Sequence, residues 1–254
     1  FDIIPTFFVV LALWLAVKSK NNLALLSLGV GGAFKIFPLL LIPFAIIILS
    51  KNSREMIKLS VLGLLPFVVT TLPFINSEAF RSGVLFSDQS QKLLFAGINV
   101  SGADTLYLFV VGYVFLLGQI MINKQNGHFV LWHYFLAILL FLFAVTNFHP
   151  QWFLWATPFL IMFICKYSQF AKAVYLLLLF FVAIVFTFDQ SLSYGLFAPI
   201  APIVESWPKN FIESFAFIID PSIIRSLLRS IFASIALIII FIIFSKSRTG
   251  QHES

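Results

Sequence analysis

The sequence predicts an all-α polytopic membrane protein, a bundle of transmembrane helices with about seven crossings. Three observations carry that prediction. Hydrophobic residues make up 61% of the 254 and charged residues 10%, with a mean hydropathy of +1.04, whereas a soluble domain carries about 25% charged residues. The apolar residues gather in long runs, and a helix needs roughly 20 of them to cross the hydrocarbon, where no water satisfies a free backbone N–H or C=O. The alternating apolar and polar pattern of an outer-membrane barrel is absent.

The runs are Ile3–Val17, Leu23–Leu49, Ile57–Ile75, Thr105–Ile122, Phe129–Thr146, Trp152–Cys165, Ala173–Phe188 and Ile231–Phe244. No charged run, Pro/Gly-rich linker, low-complexity tract or repeat divides them. Residues 1–244 therefore read as one transmembrane domain and residues 245–254 as a cytoplasmic tail. The chain opens at Phe1, with no Met, charged leader region or small-residue cleavage site, and reads as a fragment whose N-terminal part is missing. Cys165 has no second cysteine to pair with and reads as a packing residue.

Charge sets the orientation. The ends near Lys18, Lys20, Lys51, Arg54, Lys58, Lys124, Lys166, Lys172, Lys246 and Arg248 hold ten basic and two acidic residues. The opposite ends, with Asp2, 76–104, 147–151 and 189–230, hold five basic and eight acidic. Basic residues stay on the cytoplasmic face, so the first set is placed there. The net charge of +6 then serves topology, and nucleic acid is not an expected partner. This assignment closes only if Leu23–Leu49 enters and leaves on one side, as a pair of half-helices interrupted near Gly29, Gly31, Gly32, Lys35, Pro38 and Pro43. A single tilted or kinked span is the competing reading.

Asp220 before Pro221 has the form of a helix cap followed by Pro at the first helical position. Arg225 and Arg229 would share a face of that helix and snorkel toward the outer headgroups. Upstream, Phe211–Ile219 with Glu213 suits an interfacial helix beside Trp207 and Pro208.

Lys35 is the most informative residue, since an ammonium in the middle of an apolar run costs roughly 2.5–3.5 kcal/mol on insertion scales and faces a cavity or a partner. It can hold a phosphate with the help of helix-terminus amides; snorkelling or a salt bridge competes with that role. His149, Gln151 and Trp152 form a second cluster, able respectively to exchange a proton, to bind hydroxyls and to stack on a sugar ring. An interfacial anchor is the plainer reading of the Trp. Asp2 reads first as the cap of the first helix and second as a catalytic or substrate-positioning carboxylate. Asn99-Val100-Ser101 matches a glycosylation acceptor, a weak signal. Walker, HExxH, paired-Cys, GxSxG and dinucleotide signatures are missing, and the relays of ionisable residues of an ion-coupled pump are absent too.

Three stretches resemble the GT-C class of polytopic glycosyltransferases, and within it enzymes similar to polyprenol-phosphate-mannose-dependent mannosyltransferases. They are Phe1-Asp2-Ile3-Ile4-Pro5, the Gly-rich run from Leu28 through Gly29, Gly31, Gly32, Lys35, Phe37 and Pro38 to Pro43, and Phe148-His149-Pro150-Gln151-Trp152 leading to Leu154-Trp155-Ala156-Thr157-Pro158. The resemblance covers about the first fifty residues and the stretch near 150.

It implies transfer of a mannose-like hexose from a polyprenyl-phosphate sugar to a glycan or lipid acceptor on the extracytoplasmic face of a bacterial or archaeal plasma membrane. It also implies a catalytic base in a loop upstream of Phe1, donor-phosphate contact by Lys35, and places near donor or acceptor for His149, Gln151, Trp152 and Asp2. Such a reaction needs a base for the acceptor hydroxyl and positive charge for the departing phosphate. No organic cofactor is required, and no carboxylate cluster marks a metal site, although a divalent metal stays open. A non-enzymatic transporter or flippase of lipid-linked glycans is the alternative, and an O-antigen-ligase-like or polymerase-like membrane protein is a third reading.

Overall fold

The computed structural model describes residues 2–122, 130–188, 197, 199–206 and 220–249. Among them the chain is nearly all-α, with one two-stranded hairpin. The expectations for Lys124, Trp207, Pro208 and the interfacial helix Phe211–Ile219 lie outside the described residues, as does the end of the tail at 250–254. Among the described residues three helical stretches are long and apolar enough to cross a membrane: Ser53–Phe74, Ser168–Val185 and Ser222–Lys246. Six further apolar helices among the described residues are shorter, at 10–17 residues.

The helices gather into two compact units. The first comprises Phe1–Asn147 with Leu154–Phe159, and the second Phe148–Phe153 with Leu160–Ser254.

In the first unit, helix α1 (Ile3–Val17) has the bounds of its apolar run. The chain reverses through Ser19, a non-glycine residue at φ +58°, and α2 (Asn21–Phe34) returns beside α1. The pairing is antiparallel: the Ser27 hydroxyl donates to the Phe8 carbonyl at 2.8 Å, and Lys35 reaches Asp2. Helix α2 ends where Lys35 turns extended, at φ −158° and ψ 142°. A 3-10 turn, Phe37–Leu41, then leads into α3 (Ile42–Leu49). Pro38 and Pro43 sit in the first turns of these two pieces, where a missing N–H costs nothing.

The 27-residue run is therefore broken, and its two ends meet, because the Asn21 side-chain amide donates to the Leu49 carbonyl at 3.1 Å. A break leaves carbonyls without helical donors. One of them, on Leu40, accepts the Tyr113 hydroxyl at 2.8 Å.

Helix α4 (Ser53–Thr71) starts at Asn52, whose side chain accepts from the Glu55 N–H at 2.9 Å, while the Glu55 carboxylate accepts from the Lys51 N–H at 2.8 Å. It crosses α2 at a glycine pair: a Cβ on Gly29 would stand 2.3 Å from the Gly63 carbonyl oxygen and 2.9 Å from Pro66 Cδ. Small residues let helix backbones approach this closely in apolar surroundings.

After two short helices, α5 (Glu78–Phe80) and α6 (Asp88–Gln91), strands β1 (Gly97–Ser101) and β2 (Asp104–Tyr107) pair antiparallel around Gly102 at φ +50°. Hydropathy places Thr105 at the start of a helical run, yet residues 105–107 close this hairpin and α7 (Leu108–Ile122) begins immediately after it. Thr, Leu and Tyr satisfy an apolar run and a strand equally well, and cross-strand pairing with Ile98 and Asn99 settles the matter. Helix α8 (Leu131–Val145) is buried on nearly every side and packs against α3 and α7.

Helix α9 (Thr157–Lys166) supplies its first turn to the first unit and the remainder to the second. The second unit packs α10 (Ala171–Val185) with α11 (Pro221–Thr249). Its core is aromatic: Phe153 stacks on Phe181 at 4.2 Å, and Phe148 meets Phe232 at 5.6 Å. Helix α11 starts at the residue expected, because the Asp220 carboxylate accepts from the Ser222 N–H at 2.8 Å. This bond holds the Asp220 carboxyl below its usual range. The helix continues past residue 244 to Thr249.

The glycine crossing yields a direct test. Gly29→Ala should lower thermal stability in detergent by roughly 1–3 kcal/mol through overpacking against α4. Gly118→Ala in α7, where a Cβ meets nothing within 4 Å, should be neutral or slightly stabilising. Equal effects in the two variants would contradict the α2–α4 contact.

Candidate functional site

Asp2 precedes α1, and the antiparallel return of α2 carries Lys35 back to the same end of the helix pair. The Lys35 ammonium forms an ion pair with Asp2 Oδ1. Trp155, in the first unit, donates its indole N–H to the same oxygen at 2.7 Å, and the ammonium stands 5.1 Å from the centre of that indole. Phe37, two residues past the break, stacks on the Trp155 ring at 4.1 Å with an interplanar angle of 6°. The site is thus a carboxylate, an ammonium and two parallel aromatic rings at the apex of a broken helix.

Burial is unequal. The Asp2 side chain is 7% exposed and that of Lys35 is 29% exposed. A carboxylate so deeply buried is tolerated only when paired and hydrogen-bonded, and Lys35 and Trp155 supply both conditions. The cation gains from the ring face as well. With two donors on Oδ1, the Asp2 carboxylate is a well-fixed electrostatic partner for Lys35.

The predicted site residues fall into two groups. Asp2 and Lys35 meet in the first unit. The side chain of Asp2 does not cap α1; its backbone carbonyl instead accepts from the Thr6 hydroxyl at 2.7 Å and the Thr6 N–H at 3.3 Å. Capping loses because the carboxylate is drawn to a cation that a local reading of the chain does not see.

His149, Gln151 and Trp152 lie in the second unit. There His149 packs edge-on to Trp152 at 5.5 Å, its carbonyl accepts from the Trp152 N–H at 2.9 Å, and Gln151 is exposed. Trp152 is buried. Trp155 is the functional candidate that sequence reasoning misses, although it stands inside the Leu154-Trp155 motif. Nothing local distinguishes it from Trp152. The signal for it is the need of both Lys35 and Asp2 for a partner.

Arg225 and Arg229 are also drawn to protein groups. Arg225 donates to the Thr187 carbonyl at 2.9 Å, and the Arg229 guanidinium lies over the Phe148 ring at 5.4 Å. Among the described residues no three His, Cys, Asp or Glu side chains gather as a metal site.

No protein-family model, curated protein or solved structure matches the chain.

The ion pair predicts a specific pattern of stability. Lys35→Met leaves a buried carboxylate unpaired and should cost about 3 kcal/mol, the low end for truncating a buried pair because Lys35 is partly exposed. Asp2→Asn combined with Lys35→Met removes both charges and should recover most of the folded yield, measured by size-exclusion chromatography in detergent. Independent, additive losses would contradict the pair.

Proposed function

We propose that this protein is a multi-pass membrane glycosyltransferase of the GT-C kind, with about seven crossings and the α2–α3 half-helix hairpin. It moves a mannose-like hexose from a polyprenyl-phosphate sugar to a glycan or lipid acceptor on the extracytoplasmic face of a bacterial or archaeal plasma membrane. The observation that carries the reading is the Lys35 site at the apex of the broken helix. It combines a fixed cation for a phosphate with aromatic rings and a carboxylate of the kind that accept sugars. The site also belongs to the end of α1 and α2 opposite Lys18 and Lys20, so positive-inside orientation puts it at the outer side. Broken helices at membrane depth are tolerated where they line a substrate cavity.

In this reading Lys35 steadies the departing phosphate and lowers the energy of the charge that develops there. Asp2 positions the ammonium. His149 and Gln151 approach the donor or acceptor, Trp152 supports them, and the base for the acceptor hydroxyl comes from a further loop.

Membranes containing the whole gene product should transfer radiolabelled hexose from a polyprenyl-phosphate hexose to endogenous acceptors. Asp2→Asn/Lys35→Met should abolish transfer while keeping folded protein, and Lys35→Arg should retain part of it, since guanidinium and ammonium differ in reach. His149→Ala and Gln151→Ala should each lower transfer at unchanged abundance. Movement of the lipid-linked sugar between leaflets without transfer would favour the transporter reading and overturn this one.

A further inference from the structure

The hairpin Gly97–Tyr107 has two chemically different faces and no core of its own. On one face Ile98 stands opposite Leu106; toward the turn the register shifts between Asn99 and Ser101, so Val100 sits in the irregularity and the Ser101–Asp104 pair closes the turn end of that same face. These aliphatic side chains are 56%, 40% and 65% exposed. On the other face the Thr105 hydroxyl donates to the Asn99 side-chain oxygen at 3.1 Å. An isolated two-stranded hairpin is marginal in water and needs its apolar face covered. Phe74, Phe86 and Phe95 along the same connection are exposed as well. Apolar exposure gathered in this way marks a surface that meets something.

The hairpin's position says what covers it. The connection 75–107 starts where the membrane-length stretch Ser53–Phe74 ends. It finishes with Tyr107 running directly into the apolar helix α7, and the Leu108 N–H donates to the Ala96 carbonyl at 3.0 Å, clamping the base of the hairpin to the first residue of that helix. A strand of five residues extends only about 17 Å, so the hairpin stays within that distance of the membrane boundary. Between Phe95 and Tyr107 the only charged residue is Asp104, so attraction to anionic headgroups is not what would hold it there.

We propose that this hairpin lies flat in the interfacial layer of the bilayer, with Ile98 and Leu106 among the lipid, the Ser101–Asp104 end of the same face at the headgroups and the Asn99–Thr105 face toward water. The contact is hydrophobic and independent of lipid charge, in the manner of an interfacial amphipathic element built from strands. It depends on the membrane location of the protein and not on glycosyl transfer.

The test places an environment-sensitive fluorophore on single cysteines on the two faces of the regular part of the ladder, Ile98→Cys and Asn99→Cys, in the Cys165→Ser protein reconstituted whole into phosphatidylcholine vesicles. The Ile98 probe should be quenched several-fold more strongly by spin-labelled lipid than the Asn99 probe. Aqueous iodide should give the reverse order, and added salt should change neither. Equal iodide quenching at both positions would overturn the proposal by placing the hairpin in water. Shielding of Ile98 from both quenchers would overturn it in favour of protein cover, including a second copy of the chain. Equal lipid quenching at both positions would overturn the flat orientation.

Discussion

The first unit is organised around one electrostatic requirement. Lys35 sits within a run so apolar that its ammonium must find a partner, and Asp2, buried at the start of α1, needs a cation just as strongly. Their pairing sets how far α2 returns along α1 and where the helix ends. Once Lys35 turns extended, the proline-initiated pieces that follow lead the chain back until Leu49 meets Asn21. The glycines serve the same arrangement, since Gly29 admits α4, and a Cβ on Gly32 would lie 2.3 Å from Leu39 Cδ2, so the two arms of the hairpin can close. Charge pairing, helix break and close packing thus depend on one another.

Much of the architecture is legible in hydropathy, because a segment that must satisfy its own backbone in lipid has to announce itself by length and composition. Ile3–Val17 keeps its bounds, and the cap at Asp220 starts its helix where the Asp-Pro pair places it. The break in the Leu23–Leu49 run is legible through Gly29, Gly31, Gly32, Pro38 and Pro43, near which the run divides. What escapes is pairing across the sequence. The partner of Lys35 lies 33 residues away and Trp155 lies 153 residues from Asp2, and neither separation leaves a local trace. The β-hairpin escapes because its second strand is as apolar as a helix start. A local reading sends Arg225 and Arg229 to headgroups because a carbonyl on Thr187 and a ring on Phe148 cannot be seen from their own helix.

The site's chemistry follows from the same constraint. A lone lysine at an apolar apex would bind any anion, whereas one held by a carboxylate and over an indole is fixed in place and partly neutralised. In the proposed function, such a cation suits a phosphate that arrives attached to a lipid and must leave again, since release requires that binding not be too strong. The second unit offers a different surface, with Gln151 exposed beside His149 and Trp152, which is the polar character that recognition of hydroxyls needs.

Folding of the 21–49 run back on itself, so that Lys35 reaches Asp2, is the feature on which the site depends. The sidedness of the two ends of that run tests it most directly. In a Cys165→Ser background, Ser19→Cys and Asn52→Cys should both react with a membrane-impermeant maleimide from one face of sealed vesicles, the cytoplasmic one. Labelling of the two positions from opposite faces would make the run a single crossing and contradict the half-helix hairpin.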